Sequence, residues 1–556
     1  MDKKMTFQTI SLSSLSKVFA DEAPQEASYK QATALRGEHF AYQIAYTSNQ
    51  QMKDIEVEIH STLGLPFTLR AVGLVPAEMP CYADHDEHVL RTAPGLYPDP
   101  LYPLEESTII ALPGQWRSVW IHVELDASVV AGTYNVHVSF LSPQGEKLSE
   151  EVLELTVLAA TLPKQKLIHT EWFHTDCIAT QYNIDVFSEA HWSRIGQFLE
   201  TAVKHGINMI LTPIFTPPLD TAIGGERPTV QLIDVSVVEG KIDASTTYAF
   251  EFSKLERWVA LCQSKGVEYF EFAHLFTQWG AKHTPKIVAT MNGSEQRIFG
   301  WDTDAAGEAY AHFLEQFLPE LDKVIRRLGI ASCSYFHVSD EPTKDHLESY
   351  KNASDLVRKL LPPDYPIIDA LTNISFYEQG IVQKPIPSND HIEPFLEAGV
   401  PDLWTYYCCV QYKEVSNRFF NMPSARNRII GLQLYKFDIQ GFLHWGYNFY
   451  YSQYSMKQLD PFKVTDALYT FPSGDSFVVY PGETGPIESI RLEVFHEALQ
   501  DLRALQLLET YIGKERTLAL IEEGLPEPLT FSVYPRSTEW MLDVRERINQ
   551  AIATYS

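Results

Sequence analysis

The stretch GEAYAHFLEQFLPELDKVIRRLG at residues 307–329, followed closely by CSYFHVSDEP at 333–342, joins a long amphipathic helical run ending in glycine to a short β-rich run halted by a proline. The same alternation recurs on both sides of it. HTEWFH (169–174) precedes the helical SEAHWSRIGQFLETAVKHG, INMILTP (207–213) follows that helix, and LERWVALCQSKG leads to VEYFEFAHLF (267–276). Beyond residue 342 come the helix DHLESYKNASDLVRKLL, the strands PIIDALT (366–372), KPIPS (384–388) and DLWTYYCC (402–409), the helix SARNRIIGLQLYKFD, the strand GFLHWGY (441–447) and the helix IRLEVFHEALQDLRALQLLETYIG. Eight candidate strands, most followed by a helix, close most economically as a (β/α)8 TIM-like barrel over residues 163–513, with 514–556 as a C-terminal helical extension.

Upstream the period is different. HFAYQIAYTS, DIEVEIHS, SVWIHVELD, TYNVHVSFLS and EEVLELTVLAA alternate apolar and polar residues, with turn signals such as Pro143 to Gly145 between them, so residues 1–162 read as a β-sandwich domain. The fold class expected is therefore α/β, a β-sandwich followed by a barrel.

Composition removes several classes of function. Of 556 residues, 44 are Lys or Arg and 72 Asp or Glu, a net charge of −28 that repels phosphate backbones and anionic lipid. No nucleic-acid or membrane partner is expected. The six cysteines show no C-x-x-C spacing, and the start, MDKKMTFQTISLSSLSKVFADE, lacks the apolar run of a secretory signal, so the protein reads as cytoplasmic with reduced thiols. There is no H-E-x-x-H, Walker loop, G-x-G-x-x-G or G-x-S-x-G, and the HDEH at 85–88 reads as a solvated loop. No metal or other cofactor is expected. Aromatics make up 12% of the chain, a supply suited to stacking on sugar rings.

Barrel enzymes place their chemistry where strands end, so the polar residues closing each apolar run are the candidates. Asp340 and Glu341 close the fourth run. Adjacent carboxylates at a buried strand end can differ in desolvation, which leaves one protonated near neutral pH beside an anion, although the pair could equally cap the following helix. Other strand ends offer Trp172, His174 and Asp176; His274, Gln278 and Trp279; Asp369 and Thr372; Trp404, Tyr406 and Tyr407; and His444, Trp445, Tyr447 and Asn448. A ring of aromatic, imidazole and amide groups suits a carbohydrate, whose hydroxyls need hydrogen bonds and whose faces need stacking. Trp172, His174, His274, Trp279, Asp369, Tyr407, Trp445 and Asn448 are the substrate-binding candidates.

LSKVFADE, LRGEHFAYQIAY, APGLYPDPL, AGTYNVHVSF, FHVSDEP, VSNRFFNMPSARNRIIG, GFLHWGYNFY, FPSGDSFVVYPG and SIRLEVFHEALQDLR together cover most of the chain, and in them it resembles glycoside hydrolase family 123 and the relatives grouped as domain of unknown function 4091. The resemblance implies a sandwich and barrel that remove terminal β-linked N-acetylgalactosamine by substrate-assisted catalysis. It also implies that Glu341 protonates the glycosidic oxygen while Asp340 holds the acetamido N–H, so that the acetamido oxygen attacks the anomeric carbon. Two alternatives stand beside it: a glycosidase whose nucleophile is a carboxylate on another strand, Asp369 or Glu271, and a non-catalytic carbohydrate-binding scaffold. The sequence sets no oligomeric state. The Pro-rich GLYPDPLYP (95–103) is expected as a rigid loop able to reach the site.

Overall fold

The structure, a computed structural model, describes residues 6–239 and 241–556; the tip of the amino-terminal stretch, residues 1–5, lies outside them. The N-terminal region holds two five-stranded sheets. One runs Phe7–Ser13, Glu38–Ser48, Arg117–Leu125, Thr68–Ala77 and Gly95–Pro103 side by side; the other runs Gln31–Arg36, Lys147–Thr161, Gly132–Leu141, Met52–Ser61 and Thr108–Ala111. Two-residue alternation turns Tyr42, Ile44, Val119 and Ile121 of the first toward Val136, Val138, Phe140, Leu153 and Leu155 of the second, and these residues share one core. The first sheet is covered on its other face as well. Trp120, Val72 and Leu101 belong to the large core of the α/β region, which is why SVWIHVEL is apolar almost throughout.

GLYPDPLYP is an edge strand and not a free loop. Its Asp99 is buried against Arg491, 2.8 Å from Nε and 2.9 Å from Nη2, so it fastens the sheet to the helix Ile490–Ile512.

In the α/β region the parallel strands are β1 (Ile168–Glu171), β2 (Met209–Thr212), β3 (Tyr269–Phe272), β4 (Ser334–Phe336), β5 (Ile368–Leu371), β6 (Lys384–Pro387), β7 (Trp404–Tyr406) and β8 (Gly441–His444). Six of them form one sheet in the order β4-β3-β2-β1-β8-β7, and β5 pairs with β6 in a second. A single parallel bridge, Phe336 to Ile367, joins β4 to β5, and another, Ser388 to Tyr406, joins β6 to β7. The expected ring of strands is thus divided into two sheets linked at isolated points. Met209, Leu211, Ala273, Ile368, Ala370, Ile386, Trp404, Tyr406 and Leu443 pack together on the concave side, whereas Ile210, Phe270, Phe272, Phe336 and Phe442 face the helices. Gly441 opens β8 because a Cβ there would lie 2.0 Å from the Trp404 ring.

Helices Glu189–Lys204, Ser253–Ser264, Glu308–Arg327 and Leu347–Leu360 follow the first four strands; Lys514–Ile521 and Thr538–Tyr555 end the chain. One sheet was not expected from the sequence. Asp234–Glu239, Thr247–Glu251, Ile287–Met291 and Ser294–Phe299 form a four-stranded layer inserted after β2 and β3. The last of them, SEQRIF, is exposed over most of its length and carries no two-residue pattern.

Candidate active site

The strands are short, so their last residues reach a common centre from several directions. Glu271 at the end of β3 accepts the indole N–H of Trp172 at 2.8 Å and the hydroxyl of Thr170, both from the β1 segment. His337, just past β4, donates from Nε2 to Glu271 Oε1 at 2.5 Å and from Nδ1 to Asp369 Oδ1 at 3.2 Å. The Tyr350 hydroxyl and the Val338 amide also donate to Asp369. Burial alone would push His337 toward the neutral form, but its hydrogen bonds to Asp369 and Glu271 outweigh it and lift the pKa to about 10. The site floor is therefore a buried imidazolium clasped by two carboxylates. His274 stacks on it, ring centroids 4.1 Å apart and planes 21° apart; burial and the His337 charge hold His274 well below its ordinary pKa, hence neutral.

Asp340 and Glu341 stand above this floor. Glu341 has φ of +43°, a left-handed conformation that costs a glutamate on the order of 1 kcal/mol or more and is found where surrounding structure enforces it. Its Oε1 accepts the Tyr406 hydroxyl at 2.7 Å. Burial raises the pKa of Asp340 well above the usual carboxylate range, with the Glu341 charge adding to it and the His337 charge opposing. Burial raises Glu341 too, against the pull of the Tyr406 hydrogen bond. Both shifts favour the protonated form, the state a general acid requires.

Both carboxylates line a cavity of about 200 Å³ with Trp172, Asp220, Gln278, Trp279, Tyr406, Cys408, Trp445 and Phe471 in its wall. That is below the ~300–1,000 Å³ of pockets for drug-sized ligands, and fits one small ring with polar and aromatic surroundings. Trp445 is fixed by its indole N–H donating to Asp475 at 2.9 Å. Burial raises Asp475 to about 7. Beside it Arg418 grips Glu171 in a two-pronged ion pair, 2.6 and 3.0 Å; burial alone would raise Glu171, but Arg418 holds it far below the usual range.

Of the residues expected from sequence, the cavity brings together Asp340, Glu341, Trp172, Trp279 and Trp445, with Gln278 and Tyr406 from the wider set of strand-end residues. His274 and Asp369 lie in the floor beneath. His174 and Asn448 lie outside the wall and hold each other: the Asn448 amide bridges the His174 backbone at 2.8 and 3.1 Å, and His174 Nδ1 faces Arg227, which is bound to Asp176. Tyr407 faces the helices and packs on Phe442 and His444; its neighbour Tyr406, of opposite parity on β7, is the tyrosine in the cavity. HDEH is a loop, as expected, but a pinned one: Asp86 binds Arg426 through both oxygens at 2.8 and 2.9 Å, Glu414 N–H reaches Asp86 at 2.6 Å, and the preceding Asp84 holds Tyr412 and Lys413. It thereby clamps the segment after β7 that carries Cys408 to Val410. His274, His337 and Asp369 place ligand-type atoms within 4.8 Å of one another, but both His337 nitrogens are already engaged, so the group is a hydrogen-bonded ion pair and not an open metal site. His337 and Asp220 were not singled out from sequence. His337 sits inside FHVSDEP, where its even spacing from Tyr335 on the concave side and from Glu341 was the available signal; Asp220 lies in an aperiodic stretch that offers none.

The sequence profile described as "Glycoside hydrolase 123, catalytic domain" matches residues 172–508. A family 123 glycoside hydrolase from Clostridium perfringens, whose structure was described for glycolipid glycan hydrolysis, superposes with a TM-score of 0.74 at 15% identity, covering 99% of this chain and 98% of that one. A Thermotoga petrophila endo-β-1,4-mannanase gives 0.34 at 12% identity over 61% and 77% of the two chains. A Parabacteroides merdae β-glucuronidase gives 0.31 at 10% over 89% and 52%. Overlaps that low carry no argument. No curated protein sequence matches significantly. Among the described residues no helix is long and apolar enough to cross a membrane. The profile spans more than half of the 556 residues and includes every strand end of the cavity, and the chain belongs to glycoside hydrolase family 123, a family of glycosidases acting on carbohydrate.

Proposed function

We propose that the protein is a β-N-acetylhexosaminidase, with N-acetylgalactosamine the favoured terminal sugar, working by substrate-assisted catalysis on a closed (β/α)8 barrel. One observation carries the reading. Glu271 and Asp369, the carboxylates on other strands that could act as a separate nucleophile, lie in the floor and are both committed to His337, while Asp340 and Glu341 are adjacent in the wall. Adjacent residues offer their carboxyl groups from a single strand end, whereas a retaining acid and nucleophile stand ~5–5.5 Å apart on either side of the anomeric centre. Asp220, the other carboxylate in that wall, holds the Tyr454 N–H at 3.1 Å, and the nucleophile is assigned to the acetamido group of the substrate.

In this mechanism an acetamido N–H donates to Asp340, which favours its ionised form and leaves the proton on Glu341. Glu341 gives that proton to the glycosidic oxygen as the acetamido oxygen closes on the anomeric carbon, forming an oxazolinium ion and releasing the aglycone alcohol. Asp340 stabilises the positive charge that develops. Water, deprotonated by Glu341, then opens the oxazolinium and restores both carboxyl groups. The barrel reading is supported by the strand order, in which the two isolated bridges fall at the gaps between the sheets. Six unpaired thiols suit a reducing compartment such as the cytoplasm. The test is a panel of aryl β-glycosides differing at C2. Turnover of the 2-acetamido sugars with none of the 2-hydroxy sugars supports the mechanism; equal turnover of both overturns it.

A further inference from the structure

Where the N-terminal sheet meets the helices of the α/β region, two histidines and a glutamate share one patch. His122 and Glu124 stand two apart on the strand Arg117–Leu125; on the neighbouring strand Glu38–Ser48, His39 pairs with Glu124 and Ala41 with His122. Two-residue alternation therefore sends all three side chains to one face, the face on which Trp120 enters the core of the α/β region. Each of the three offers a ligand-type atom, and these atoms lie within 4.8 Å of one another. The His39 and His122 rings are 5.3 Å apart at 72°. His122 is 2% exposed, yet its Nε2 has no hydrogen-bond partner among the described residues, and neither has the buried Nδ1 of His39. Buried polar atoms without partners are uncommon in folded proteins, and two on one patch call for an account. The backbone beneath is fixed: Gln500 of the helix Ile490–Ile512 accepts the His39 N–H at 2.6 Å and donates to its carbonyl at 3.0 Å. The next group along the seam is already satisfied, since His205 faces Glu488 and Glu493 but Arg70 is hydrogen-bonded to both carboxylates.

We propose that His39, His122 and Glu124 form a binding site for a zinc-class divalent cation, held by one nitrogen of each imidazole and one carboxylate oxygen, with water in the fourth position. The donor set chooses the cation. Two imidazoles and a carboxylate suit zinc and its neighbours in the first transition row, whereas magnesium and calcium take oxygen ligands. Burial keeps both imidazoles below their ordinary pKa, so each presents a lone pair at neutral pH. A tetrahedral zinc with bonds of ~2.0–2.2 Å sets its donors roughly 3.3 Å apart, so the side chains close inward on the ion. Glu124 has the freedom to do so, its side chain being 58% exposed. Lys204 Nζ lies 3.5 Å from Glu124 and 3.7 Å from Glu488, so it keeps a carboxylate when the cation takes Glu124, and the surface pair it gives up is worth little. The bound ion ties two strands together where the helices Glu189–Lys204 and Ile490–Ile512 press on them, and its binding free energy adds to the stability of the folded state.

The experiment takes the full-length protein, dialysed against a chelator, and titrates it with zinc chloride by calorimetry in wild type, Glu124→Gln and His122→Gln. Glu124→Gln changes an exposed side chain, so it keeps the test open if His122→Gln fails to fold. Wild type is expected to bind one zinc tightly per chain. Either variant should weaken that binding by more than the ~10–100-fold that loss of a group merely supporting a metal ligand costs. Thermal unfolding is a second readout: zinc should raise the Tm of wild type and leave that of Glu124→Gln unmoved. Cobalt(II) in place of zinc reports the donors, and a nitrogen and oxygen site gives visible bands without the thiolate charge-transfer band that Cys408 and Cys409 would produce. No zinc binding by wild type, equal binding by wild type and Glu124→Gln, a thiolate band, or magnesium bound as tightly as zinc each overturn the proposal.

Discussion

The Tyr406 hydroxyl donates to Oε1 of Glu341 over 2.7 Å, so the residue placed to release a proton is also held by a donor that favours its charged form. That bond lowers the Glu341 pKa against the burial that raises it, and it strengthens as the carboxylate becomes ionised in the transition state. Removing it in Tyr406→Phe raises the Glu341 pKa. Because an acid must be protonated to act, the alkaline limb of the kcat/KM profile should move to higher pH, while the maximal rate falls ~10–100-fold, the worth of a hydrogen bond to a charged group. A pH–rate profile of the variant measures both, and an alkaline limb that stays in place or moves to lower pH would show that Glu341 is not the group titrating.

His337 should control stability more than chemistry. Its folded pKa of about 10 lies above the ~6.5 of an unfolded histidine. Its contribution is therefore fully present below about pH 6.5 and lost as pH rises toward 10. His337→Asn leaves Glu271 and Asp369 facing each other without a cation, and should cost ~3–5 kcal/mol, as breaking a buried ion pair does. Urea denaturation at pH 6, 8 and 10 should show the gap between wild type and variant narrowing as pH rises. A gap constant across that range would mean His337 is neutral in the folded protein.

The strand-helix alternation and the carboxylates of FHVSDEP were readable because both depend on local pattern: apolar runs of fixed period, and charge where a buried run stops. Side-chain direction was not readable at DLWTYYCC. β7 has three residues, too few for alternation to fix its parity, so Tyr407 was chosen where Tyr406 faces the cavity. His174 and Asn448 occupy strand ends as expected, yet they satisfy each other across the β1 and β8 segments, a pairing that becomes visible only once β1 and β8 are neighbours. Asp220 was missed for the opposite reason. It reaches the cavity on a long connection whose hydrogen bonds run to Gln278 and Tyr454, far away in sequence, and no local period marks it.

Trp445 contacts Phe449 and Phe471 at centroid distances of 5.0 and 5.3 Å, and its indole N–H is bound to Asp475. Trp445→Ala should lower kcat/KM by ~1–2 kcal/mol if its face packs on the terminal sugar. Trp445→Phe keeps a ring but frees Asp475, so it should lose less. Steady-state kinetics on both, with circular dichroism to confirm folding, separate the two contributions. Equal losses would move the effect from the ring to the Asp475 hydrogen bond.

Asp340 and Glu341 are adjacent in sequence and share a cavity, but an acid and an orienting anion fail differently. If Glu341 protonates the leaving oxygen, Glu341→Gln should slow substrates with poor leaving groups by ~10²–10⁴-fold, the scale of general acid catalysis. Nitrophenyl glycosides should suffer far less, because their leaving group departs with little protonation. Asp340→Asn removes the charge that holds the acetamido group and stabilises the oxazolinium, so both substrate types should slow alike, by several kcal/mol in a site this desolvated. The buried pair adds a second signature. With Glu341 neutralised, the repulsion that helps raise Asp340 disappears, and the acid limb of the residual nitrophenyl activity in Glu341→Gln should move to lower pH than in wild type. Leaving-group dependence in Asp340→Asn instead of Glu341→Gln would exchange the two roles. Equal dependence in both variants would mean that the proton is shared and neither residue acts as the acid alone.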